Sequence, residues 1–128
     1  MTSTNYYDTF IAVAEDCPVA AGEVPPVKDP KSIAQIEFEM LTDNPYVYTS
    51  DDVIFAANGA RRGLTREEYF SKGQPCFRSS PLTKRYGWGV HSNGKGKIAL
   101  CAVGSDAYNQ FLTDWSLKQL KAMRSKRA

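Results

Sequence analysis

The stretch Arg85-Tyr86-Gly87-Trp88-Gly89-Val90-His91-Ser92-Asn93-Gly94-Lys95-Gly96-Lys97-Ile98-Ala99-Leu100-Cys101-Ala102-Val103 reads as a β-hairpin. From Arg85 to His91 the residues alternate, with Tyr86, Trp88 and Val90 on one side and Arg85, Gly87, Gly89 and His91 on the other. That is the period of a strand. Asn93-Gly94 suits a two-residue hairpin turn, and residues 97–103 form the return strand. Such a turn sets Ser92 opposite Lys95, Val90 opposite Lys97, Trp88 opposite Ala99 and Tyr86 opposite Cys101. Gly87 and Gly89 then face Leu100 and Ile98. A glycine inside a strand marks a close approach of some other group to the backbone. Two readings stand: Tyr86 and Trp88 belong to the core, or they form an aromatic platform for a ligand.

Outward from the hairpin, Ser105 caps a helix carrying Tyr108, Phe111, Leu112 and Trp115 on one face. The pattern slips near Thr113-Asp114, and a basic amphipathic helix follows, with Lys118, Lys121, Arg124, Lys126 and Arg127. Towards the N-terminus, residues 9–14 (TFIAVA) are an unbroken apolar run, read as a buried strand that stops at Pro18. Pro18, Pro25, Pro26 and Pro30 make the next segment an extended loop or lid. Residues 31–42 show strand-like alternation, yet Asp29-Pro30 is a helix start, and the helix reading is preferred. Thr49 or Ser50 caps another helix, with Asp51 and Asp52 at its positive end and Asn58-Gly59 at its close. Thr65 and Glu68 form a capping box for a third helix that ends at Gly73. The expected fold is α+β, a small antiparallel sheet covered by helices with a basic C-terminal helix. Residues 1–128 form a single domain, with loose ends at 1–5 and 125–128.

A chain of 128 residues buries enough surface to fold without a disulfide or metal. No apolar run approaches a membrane span, and no base precedes Lys28. The expected setting is cytoplasmic, without membrane contact. Cys17, Cys76 and Cys101 are widely spaced and odd in number, so reduced thiols are expected, with no metal and no cofactor. Residues 1–60 hold ten acids and two bases, a net −8; residues 61–128 hold four acids and fourteen bases, a net +10. Either the halves interleave and neutralise each other, or the asymmetry serves a partner.

Between Tyr69 and Ser105 there is no carboxylate, and the basic, hydroxyl and aromatic residues there form the candidate site. Arg78 offers a bidentate fork and Ser79 and Ser80 neutral donors. Lys84 and Arg85 add positive charge, Tyr86 and Trp88 stacking surfaces, and His91 a ring at the far end. Ser79-Ser80-Pro81 is equally an ordinary turn. Cys76 is a candidate nucleophile, but the only histidine is His91, roughly 20 Å along the strand from Arg85. The paired carboxylates have simpler explanations: Asp51-Asp52 as helix caps, Glu37/Glu39 as a solvated face. No glycine-rich phosphate loop, nucleophile elbow or His-Glu-x-x-His is present.

Three strings carry a resemblance: residues 44–53 (NPYVYTSDDV), 71–82 (SKGQPCFRSSPL) and 84–89 (KRYGWG). Through these the chain resembles a family of small single-domain, mostly bacterial proteins known only as a domain of unknown function. The resemblance spans nearly the whole chain and implies a self-contained domain; it supplies no activity or catalytic residue. The residues themselves suggest a non-enzymatic binding protein for a small anionic ligand, aromatic or not, through residues 76–91, or for nucleic acid. Alternatives are a small enzyme with a cysteine or serine nucleophile there, and a homo-oligomerising or partner-binding module using the acidic and basic halves.

Overall fold

A computed structural model describes residues 2–125. Among them, four strands form one mixed sheet in the order β3-β2-β1-β4: β1 Thr9–Ala12, β2 Trp88–Ser92, β3 Ile98–Ala102 and β4 Lys118–Lys121. β1 is antiparallel to β2, β2 to β3, and β4 runs parallel to β1. Helices α1 (Ile33–Asp43), α2 (Ser50–Ile54), α3 (Arg66–Phe70) and α4 (Pro81–Lys84) supply the main core against one sheet face, and α5 (Asp106–Leu112) covers the other. The α+β class stands. The sheet is mixed rather than antiparallel, because residues 118–121 add a parallel edge strand.

That strand replaces the expected basic helix, so far as the tail lies within the described residues. All of β1 is buried, and a buried strand needs hydrogen-bonding neighbours on both sides. β2 supplies one and β4 the other, with Lys118 N–H donating to the Asp8 carbonyl at 2.9 Å and Ala122 N–H to that of Ala12 at 2.8 Å. Leu120 packs on the main core.

The hairpin keeps β2's alternation but shifts its register. Trp88 pairs with Ala102, Val90 with Leu100 and Ser92 with Ile98, so the expected Trp88–Ala99 pairing is incorrect. Asn93 N–H donates to the Lys97 carbonyl at 2.9 Å, and Gly96 N–H to that of Asn93 at 3.0 Å, with Gly96 at φ 78°. This is a three-residue connection with glycine in the left-handed position. A two-residue turn would move Ile98 and Leu100 to the face opposite Val90, away from the core they join. Cys101 therefore lies with Gly89 on the α5 side. The close approach at Gly89 is internal: an added Cβ would sit 2.8 Å from a Phe10 ring carbon and 2.9 Å from one of Tyr108.

The helices begin where capping chemistry places them, with one correction. Ser32, not Asp29, caps α1 by accepting from Gln35 N–H at 3.1 Å. Thr49 and Asp52 form a capping box on α2, Thr65 and Glu68 one on α3, and Ser105 caps α5. Asn58-Gly59 does not end the second helix; a π-helical turn, Phe55–Gly59, and a 3₁₀ turn, Ala60–Arg62, carry it to Gly63. α3 stops at Phe70 rather than Gly73. On α5, Tyr108 and Phe111 pack inward, whereas Trp115 lies past the helix end and is 81% exposed.

Residues 2–5, expected loose, are tied down. Thr2 N–H donates to the Phe70 carbonyl. The buried Asp51 carboxylate accepts from Thr4 N–H and Thr4 Oγ1 at 2.7 Å each and from Ser3 Oγ at 2.8 Å. At the other end Ser125 N–H donates to Asp16, and residues 126–128 lie outside the described residues. Salt bridges Arg66–Asp52 and Lys121–Glu15 join the acid-rich and base-rich halves. Both are solvent-facing pairs of the kind worth about 0–1 kcal/mol. Among the described residues, no helix is long and apolar enough to cross a membrane.

Candidate functional site

The residues expected to form one site are distributed over several surroundings. β2 sends Trp88 and His91 to opposite sheet faces. On the α1 side, Trp88 packs against Phe38 with ring centroids 5.4 Å apart, and its indole N–H donates to the Glu23 carbonyl at 2.8 Å. Tyr86 is half-buried against the same core. On the α5 side, His91 stacks on Phe111 at 4.3 Å, and its Nδ1 shares a 2.8 Å hydrogen bond with the Tyr46 hydroxyl. Burial lowers the His91 pKa, against the pull of Asp114 and Asp8. Arg78 donates from Nε to the Lys121 carbonyl at 2.7 Å, and its own carbonyl accepts from Met123 N–H at 2.7 Å. It thereby closes part of the β4 edge, a row of backbone groups that natural sheets keep covered. Lys84 ends α4, and Arg85 is exposed at its C-cap.

Ser79 and Ser80 have a different place. They line a cleft with Ile33, Glu37, Ile54, Asn58, Tyr69, Pro75, Cys76 and Pro81. Its volume is about 160 Å³. An apolar cavity of ~150 Å³ holds one benzene ring. The walls come from α1, the end of α2, the π-helical turn and the segment leading into α4. Such π-helical turns recur at functional sites because the extra residue re-aims side chains. Here the turn carries Asn58, whose Nδ2 donates to the Tyr69 hydroxyl at 3.3 Å.

Glu37 is the chemically distinctive residue of the cleft. It is only 3% exposed, and its Oε1 accepts from Ser80 Oγ at 2.7 Å. Ser80 Oγ also accepts from Leu82 N–H, capping α4, so the hydroxyl that orients Glu37 is itself fixed by a helix start. Burial pushes the Glu37 pKa up from 4.5 to about 7, and the Ser80 hydrogen bond only partly offsets this. Ser80 is the one hydrogen-bond partner of the Glu37 carboxyl among the described residues. Oε2 has no hydrogen-bond partner among the described residues, and no such atom is fully buried, so it keeps some exposure on a residue that lines the cleft. A carboxyl in that setting is a hydrogen-bond donor below its pKa and a base above it.

At the cleft wall, Cys76 Sγ lies 3.5 Å from the Tyr6 hydroxyl. That contact, then burial, raises the Tyr6 pKa to about 12, against the nearby positive charge of Arg78. Cys76 is half-buried and free; Cys101, also free, is buried beside Ser105 on the α5 side. Cys76 thus lines the helix-side cleft, while His91 stands across the sheet, and the two do not form a catalytic pair.

Glu37 was expected on a solvated face with Glu39. The helix separates them: Ala34, Glu37 and Leu41 are buried, whereas Glu39 bonds Lys31 at the surface. Their i, i+3, i+7 spacing was the available signal, since it puts Glu37 in the apolar stripe. Tyr6, Asn58 and Tyr69 carry no such mark in sequence. Among the described residues, no group of three or more His, Cys, Asp or Glu side chains is arranged to hold a metal ion.

The family profile that matches runs over residues 1–128. The chain belongs to DUF6157, a family of unknown function. No curated protein and no solved structure matches it.

Proposed function

We propose that the protein binds a small, largely apolar, neutral molecule in the Glu37 cleft and grips one polar atom of it through Glu37. The observation that carries this reading is a buried carboxyl on the cleft lining with one oxygen committed to Ser80 and the other without a partner among the described residues. Burying a polar group costs about 1–3 kcal/mol unless it is hydrogen-bonded, and a ligand carbonyl or hydroxyl would supply the second bond. Ile33, Ile54 and the two prolines favour an apolar body of about one ring. The reading moves the site from the Arg78–His91 strip to residues 76–80 and α1. It replaces an anionic ligand with a neutral one, because Arg78 does not line the cleft and Glu37 would repel an anion once ionised. A reducing, cytoplasmic setting suits it, since Cys76 on the wall has to stay a free thiol.

Titration of ¹⁵N-labelled protein with benzamide at pH 6 tests the reading. Saturable amide shifts confined to residues 33–37, 54–58 and 76–81 are expected, reduced at least fivefold in affinity by Glu37→Ala. Shifts centred on 85–91 would restore the aromatic-strand site, and none at millimolar benzamide would end the proposal.

A further inference from the structure

The role of the cleft's thiol rests on the proposed binding of a small molecule there. Cys76 is a free thiol on the cleft wall rather than a core sulfur. It is half-buried on the wall of an open cleft, with the Tyr6 hydroxyl 3.5 Å from Sγ and a guanidinium near enough to act on that phenol. Reactive cysteines sit in such partly exposed, electropositive surroundings. The second, independent feature is the free oxygen of Glu37 in the same cleft. A thiol and a carboxylic acid lining one ring-sized space are the two groups a conjugate addition requires, one to attack carbon and one to hold the carbonyl oxygen.

We propose that Cys76 adds to a small α,β-unsaturated carbonyl compound seated in the cleft, with Glu37 holding the carbonyl oxygen. The sulfur forms a bond to the β-carbon. The carbon–carbon π pair shifts towards the carbonyl oxygen, which takes the Glu37 proton. The thiol proton passes to solvent before the sulfur attacks; the enol then returns to the ketone by giving its O–H proton back to the Glu37 carboxylate while the α-carbon takes one proton from solvent. The net change is addition of S–H across the double bond, without oxidant, reductant or leaving group. Tyr6 is a positioning residue: its hydroxyl, 3.5 Å from the sulfur, would hold the thiolate before attack.

Cys17 supplies an internal reference, being free and half-buried in the turn after β1. The probe is 2-cyclohexen-1-one, one neutral ring with the reacting carbonyl, read by peptide mass spectrometry at pH 7. The expected result is alkylation of Cys76 at least ten times faster than Cys17, with a rate that saturates in probe concentration. Glu37→Gln should slow Cys76 at least threefold and leave Cys17 unchanged, and Tyr6→Phe should slow Cys76 while preserving benzamide binding. Equal rates at Cys76 and Cys17, or a Cys76:Cys17 ratio untouched by Glu37→Gln, overturn the proposal. If benzamide binds the cleft but Cys76 is no faster than Cys17, the addition chemistry falls and the binding reading stands. If benzamide fails to bind, both fall.

Discussion

Replacing Glu37 by glutamine should flatten the pH dependence of stability. In the folded chain the carboxyl keeps its proton up to about 7, whereas in the unfolded chain it releases it near 4.5. Between those values the unfolded state binds fewer protons, so stability falls as pH rises. The contribution is fully present below pH 4.5, declines across the interval and is lost above pH 7. At about 1.4 kcal/mol per pH unit, the interval amounts to roughly 3 kcal/mol as an upper figure. His91 acts in the opposite sense: its lowered pKa makes the unfolded chain the better proton acceptor near pH 6.5, so its contribution rises with pH there. The difference between wild type and Glu37→Gln removes that common term. Glutamine keeps an oxygen for Ser80 to bond. Urea unfolding followed by circular dichroism at pH 5 and 8.5 should give similar stability for both proteins at pH 5. At pH 8.5 the variant should be more stable by up to about 3 kcal/mol. Parallel profiles, or a wild type that gains on the variant between pH 5 and 8.5, would refute the reasoning.

Gly89→Ala forces a Cβ to 2.8 Å from the Phe10 ring and should cost about 1–3 kcal/mol, read as a lower urea midpoint with an unchanged m-value. Asp51→Ala removes the acceptor of the Thr4 amide and the Ser3 and Thr4 hydroxyls. It should cost about 2–4 kcal/mol and speed amide exchange first at residues 2–5. Arg78→Ala opens the β4 edge at Lys121, so faster exchange there with undiminished benzamide affinity is expected; a large loss of affinity would return Arg78 to the binding site.

Elements set by local chemistry were legible in the sequence. Thr49, Thr65 and Ser105 cap helices because a short hydroxyl side chain satisfies amides within the next turn, and that is decided within four residues. The tail was not legible in the same way. Lys118-Gln119-Leu120-Lys121 has little strand character, and its conformation is dictated by the open edge of β1, more than a hundred residues earlier. The hairpin shows both levels. Asn93 located the turn, but the choice between a two- and a three-residue connection depended on which face of β3 had to meet α1. For the site, the hydroxyls at 79–80 and the thiol at 76 were visible as groups, whereas their partner was hidden by its charge. Glu37 looks like a surface residue until the helical spacing of Ala34, Glu37 and Leu41 is followed inward. The acid-free stretch was informative, but its cleft is completed by an acid from outside it.

The most direct test is a ¹³C-detected NMR titration of the Glu37 carboxyl, without and with saturating benzamide. A midpoint near 7 in the free protein, moving upward with benzamide because the ligand accepts from the protonated form, is the predicted result. A midpoint near 4.5 that benzamide leaves in place would contradict it.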